Sequence, residues 1–80
     1  MLMIEKAEYL RDYKVRVVFN DGRRAEFDFE PLIRTYPAFS ALSDVDLFKD
    51  FTLTDTLEWN GGQIDIAPEY LYDHAAFVHE

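Results

Sequence analysis

Apolar and polar residues alternate from Lys14 to Phe19 and again from Arg23 to Phe29, on either side of Asn20-Asp21-Gly22. Val15, Val17 and Phe19 share one face of the first run, and Ala25, Phe27 and Phe29 share one face of the second. That is the period-2 pattern of half-buried strands. Register then decides the loop length. A two-residue Asp-Gly turn would set Val17 against Glu26 and oppose apolar groups to charges on both faces. A three-residue loop, with Gly22 left-handed beside a bulge, sets Val17 against Ala25 and Val15 against Phe27. On the other face Arg16 then meets Glu26 and Lys14 meets Asp28. The three-residue loop is expected. Residues from about Leu2 to Tyr9 should add a third antiparallel strand, joined through Arg11-Asp12.

After Phe29 the period changes. Pro31 suits the first position of a short helix, and Tyr36-Pro37 should stop it. Leu32, Ile33, Phe39 and Leu42 supply apolar contacts. Ser43 reads as the N-cap of a second short helix, with Asp44 and Asp46 in its electropositive first turn. Val45, Phe48 and Phe51 lie at helical spacing and should face the core. A second hairpin follows, with Leu53, Leu57 and Trp59 before Asn60-Gly61 and Ile64 and Ile66 after it. The parity of the apolar positions flips between its strands. A two-residue type I′ Asn-Gly turn satisfies that, pairing Trp59 with Gly62 and Leu57 with Ile64. Pro68-Glu69 opens a last helix, whose inner stripe should be Leu71, Ala75 and Val78. The expected fold is α+β: a mostly antiparallel sheet of about five strands, ordered β-β-β-α-α-β-β-α, with short helices on one face.

Eighty residues form a single domain, 1–80. Folding a chain of this size hides roughly 60–65% of the unfolded surface, so the core is thin. With no cysteine there is no disulfide and no thiolate metal site. Four apolar residues precede Glu5 without a basic segment, and no run approaches the ~20 apolar residues of a membrane span. Neither a signal peptide nor membrane association is expected, and the cytoplasm is the expected compartment. The net charge of -8 repels phosphate backbones, which disfavours direct nucleic-acid binding and suits a basic protein partner. Arg23-Arg24, the one basic cluster, reads as solvated turn residues. An edge strand, either the N-terminal one or that of Leu53, offers a route to a homodimer.

Catalytic chemistry finds little support. His74 and His79 are five residues apart, whereas ligands on one helix face want three or four. Asp44-Val45-Asp46 lacks the calcium-loop pattern and reads as a helix-start cap. Phosphate loop, nucleophile elbow and Cys-His pairing are all absent, and no cofactor is implied.

Three stretches carry a family likeness. Val17-Val18-Phe19-Asn20-Asp21-Gly22 is followed by Phe27-Asp28-Phe29-Glu30-Pro31-Leu32, then Phe39-Ser40-Ala41-Leu42, and last by Trp59-Asn60-Gly61-Gly62-Gln63-Ile64-Asp65-Ile66-Ala67-Pro68-Glu69-Tyr70-Leu71-Tyr72. Over nearly its whole length the chain resembles the small bacterial domain-of-unknown-function family 2442. The resemblance implies an α+β fold, a stand-alone domain without the helical DNA-binding extension of some relatives, and no established catalysis. It also implies a setting beside a second small gene, an arrangement like a toxin–antitoxin pair.

The C-terminal signature admits two readings. In one it is structural: Trp59 and Leu71 fill the core, Pro68 starts the helix and Asp65 caps its free amides. In the other, Trp59, Tyr70 and Tyr72 anchor a partner beside Glu69 and Asp73. The favoured function is a non-catalytic protein-interaction module, antitoxin-like. The alternatives are an accessory domain of a transcriptional regulator and a small enzyme using a carboxylate pair such as Asp65 and Glu69.

Overall fold

Strands β1 (Ile4–Arg11), β2 (Lys14–Phe19) and β3 (Arg24–Asp28) form an antiparallel meander in the computed structural model, which describes residues 1–78. The β2–β3 register is the one the charge pattern demands. Val17 faces Ala25, Val15 faces Phe27, and Arg16 faces Glu26. The loop closes with Gly22 N–H donating to Phe19 C=O and Phe19 N–H to Arg23 C=O, both at 2.9 Å. Gly22 sits at φ +88°, where a side chain would be strained. Arg16 donates to Glu26 at 2.9 Å. Lys14 faces Asp28 in register but makes no ion pair with it among the described residues. β1 runs to Arg11, past the expected end at Tyr9, and turns through Asp12 at φ 49°.

Helix α1 (Glu30–Thr35) starts with Pro31 in its first turn and ends where Tyr36 turns extended before Pro37. A 3-10 segment, Pro37–Ser43, follows and buries Leu42. The next helix, α2 (Val45–Phe48), is capped by Asp44 and not by Ser43: the Asp44 carboxylate accepts from Asp46 N–H at 3.0 Å. Ser43 closes the 3-10 segment instead, and its carbonyl accepts the Tyr13 hydroxyl. Phe48 is fully buried as expected, while Val45, expected to face the core, is 37% exposed.

The second half differs most from the sequence reading. Leu53 and Leu57 belong to two strands, β4 (Thr52–Leu53) and β5 (Leu57–Trp59), folded back through a turn in which Thr54 N–H donates to Thr56 C=O. β6 (Ile64–Asp65) pairs Trp59 with Ile64 and Glu58 with Asp65, so the loop is the four residues Asn60–Gln63. Two- and four-residue loops both satisfy the parity flip. The longer one wins because it brings Ile64, half-buried, beside Trp59 and lets Ile66 enter the core with Leu57. It requires left-handed backbone at Asn60, Gly61 and Gly62 in succession, which two glycines and an asparagine supply.

Helix α3 (Pro68–His74) ends before Ala75, and the chain extends into β7 (Ala76–Phe77) beside β3. Val78 is exposed, its N–H bonded to Arg24 C=O, so the expected stripe Leu71-Ala75-Val78 reduces to Leu71 with a half-buried Ala75. The open edge of β3 offers backbone partners that a longer helix would forgo. The α+β, antiparallel architecture thus stands. Among the described residues there are seven strands where about five were expected, in two sheets ordered β1-β2-β3-β7 and β4-β5-β6.

The core lies between these sheets and the helices. Trp59 stacks on Phe48 with centroids 5.9 Å apart, and Phe29 meets both rings edge-on. The indole N–H donates to Phe48 C=O at 2.6 Å. Replacing Trp59 by Ala should cost about 3–5 kcal/mol in urea unfolding. Val45→Ala should change stability by less than about 0.5 kcal/mol.

Candidate functional site

The turn from α1 into the 3-10 segment stands across from the stretch leading into α3. Between them lies an open, mostly apolar groove of about 370 Å³. Leu32 and Tyr36 line one wall, Phe39 the end, and Ile66, Ala67 and Tyr70 the other wall. Tyr36 remains 51% exposed because Pro37 forces its backbone extended and out of the helix. Asp65 provides the charge at the rim.

Of the six candidate site residues Trp59, Asp65, Pro68, Glu69, Tyr70 and Tyr72, only Asp65 and Tyr70 line this groove. Trp59 is 1% exposed and belongs to the core. Pro68 is half-buried at the start of α3, and Glu69 is exposed in its first turn. Asp65 does not cap α3: the N-cap is Ala67, with no side-chain cap bond, and Asp65 lies exposed opposite Glu58. Tyr72 faces away from the groove, toward the first hairpin. Its hydroxyl donates to Asp21 Oδ2 at 2.7 Å and accepts from Arg23 Nη1 at 3.1 Å, while the Arg23 guanidinium lies 4.0 Å over the Phe77 ring. The hairpin tip is thereby tied to α3 and β7. Arg23 is a tethering residue as well as a turn residue.

Tyr70 stacks on His74 with centroids 4.1 Å apart, and His74 Nδ1 bonds the Tyr70 carbonyl at 2.8 Å. His79 lies outside the described residues. Among the described residues no group of three or more His, Asp or Glu is placed to hold a metal ion. No helix there is long and apolar enough to cross a membrane.

Sequence reasoning did not connect Tyr36, Phe39 and Ile66 as one surface. The available signal was Tyr36-Pro37, which puts an aromatic ring at a helix stop, where it cannot join the helical inner face.

A family model described as "Protein of unknown function (DUF2442)" matches residues 4–77. The chain belongs to the DUF2442 family. No curated protein and no solved structure matches it. In this DUF2442 domain the charge is segregated along the chain. Residues 1–29 carry six acidic and six basic side chains, so the whole net charge of -8 falls in residues 30–80, which build the groove.

The Tyr72 hydrogen bond, helped by the Arg23 backbone N–H, holds the Asp21 carboxyl below its ordinary range. Its stabilisation is therefore present above the ordinary carboxylate pKa and fades as pH falls through the lowered folded-state value. Tyr72→Phe should raise the Asp21 pKa toward its ordinary value, read by NMR titration of the Asp21 carboxyl carbon.

Proposed function

We propose that this DUF2442 domain is a non-catalytic, cytoplasmic protein-interaction module, the antitoxin-like member of a two-gene pair. Its groove takes an apolar side chain carried on a basic segment of the partner. The observation that carries the reading is the conjunction at the groove: an apolar cleft with an exposed aromatic, set in the part of the chain that holds the entire net charge. Apolar anchors seated in a pocket supply most of the affinity of a protein contact, and complementary charge supplies steering and register.

The non-catalytic reading is supported by the surroundings of the acids. Asp65 and Glu69 are both exposed, without the burial that adapts a carboxyl to proton transfer. The outward face of the first sheet interleaves Arg16 and Arg24 with Glu8 and Glu26, which counts against a direct phosphate contact. A homodimer paired through β1 is the second reading, favoured by the position of that eight-residue strand at the sheet edge. Two register shifts and the charges at Glu5, Lys6, Glu8 and Arg11 blunt that edge.

Co-expression with the product of the adjacent gene, followed by size exclusion, tests the main reading. The expected result is one co-migrating complex that weakens as salt is raised. Tyr36→Ala, at an exposed position, should reduce its affinity by about tenfold or more. Two independently migrating species would overturn the proposal, and a dimeric peak of this chain alone would favour pairing through β1.

A further inference from the structure

A second groove, of about 480 Å³, lies on the far side of the Leu32–Tyr70 ridge. Its apolar surface is Phe27, Pro31, Leu32 and Tyr70, and its charged lining is Arg11, Lys14, Glu26 and Asp28. The four charges are not equivalent. Glu26 is already engaged by Arg16 at 2.9 Å, and Asp28 Oδ1 accepts the Glu30 backbone N–H at 3.0 Å. Arg11 and Lys14, by contrast, form no ion pair among the described residues, in a chain where acids outnumber bases two to one. Lys6 also lacks an ion pair among the described residues, but only Arg11 and Lys14 lie together beside an apolar surface. With so many carboxylates at hand, a guanidinium and an ammonium would ordinarily find partners.

The fold explains why they have none. Arg11 ends β1 and Lys14 begins β2 on either side of the Asp12-Tyr13 turn, so the register shift there places them side by side. β7 covers β3 only opposite Ala25 and Glu26, which leaves the edge of β3 away from β2 uncovered at Phe27 and Asp28. His74 closes the end of the groove, held by its Nδ1 bond to Tyr70 and by the ring stack.

We infer that this groove is a binding site for an organic monocarboxylate with an apolar body, its carboxylate between Arg11 and Lys14 and its body against Phe27, Leu32 and Tyr70. A bidentate guanidinium contact with an ammonium beside it suits a single carboxylate. The volume falls within the range of small-ligand sites. A free metabolite and the C-terminal residue of a peptide present the same chemistry. The site shares Leu32 and Tyr70 with the Tyr36 groove, but its cations lie outside that groove and it does not depend on the protein-partner reading.

The test is an amide-resolved NMR titration of the whole chain with four probes: 3-phenylpropionate, 3-phenylpropanamide, N-acetyl-Gly-Phe with a free carboxylate, and the same dipeptide amidated. The expected result is saturable shifts at Lys14, Phe27, Asp28, Leu32 and Ala76 with at least one acid and with neither amide. Arg11→Gln combined with Lys14→Gln should weaken binding by about tenfold or more, with the rest of the spectrum dispersed as in the parent. Binding of the dipeptide acid alone assigns a peptide terminus, binding of phenylpropionate alone assigns a small molecule, and binding of both supports the shared chemistry. The inference is overturned if neither acid saturates below about 10 mM, if an amide binds as well as its acid, if the shifts fall elsewhere, or if the double variant binds unchanged.

Discussion

The indole N–H of Trp59, donated to the carbonyl of Phe48, is the contact on which the arrangement of the two sheets depends. It joins β5 of the smaller sheet to the last residue of α2, and both residues are buried. A buried donor must find an acceptor there or forfeit its solvation. Phe48 in turn touches Tyr9 of β1, Tyr13 of the first turn and Phe29 at the head of α1. One aromatic cluster therefore holds five parts of the chain, and offset or edge-on contacts of this kind add directional preference to burial. β1 is also bonded to the turn between β4 and β5, through Ile4 N–H to Asp55 C=O.

Both grooves are by-products of that packing. α1 is short because Tyr36-Pro37 ends it, and α3 is short because β7 takes the chain to the edge of β3. The two helices, of six and seven residues, supply Leu32 and Tyr70, which line both clefts. The charge distribution makes the clefts different. Residues 1–29, neutral overall, supply the cations of one, while residues 30–80, which carry -8, supply the walls of the other.

The first hairpin was legible because two independent conditions agreed. Apolar matching on one face and charge matching on the other select the same register, and a shift of one residue would break both. The second hairpin had only one condition. Parity admits a two- or a four-residue loop, and its polar face opposes Glu58 to Asp65 in the observed register, so charge gave no guidance. The cap of α2 was ambiguous for a related reason: Ser43 and Asp44 are both good capping residues, and what separates them is that the Asp44 carboxylate accepts the Asp46 N–H.

Local sequence by itself determined the alternating strands, the loop with Gly22 left-handed, the proline-bounded starts of α1 and α3, the burial of Phe48, Trp59 and Leu71, and membership of the family. Those features follow from backbone sterics and short-range periodicity, which act within a few residues. Tertiary structure alone decided the split into two sheets, the loop Asn60–Gln63, the end of α3 at His74, and the pairing of Tyr72 with Asp21 across 51 positions. Each of these turns on which distant group reaches an unpaired backbone atom or a gap in the core. That competition between remote segments leaves no mark in the spacing of neighbouring residues.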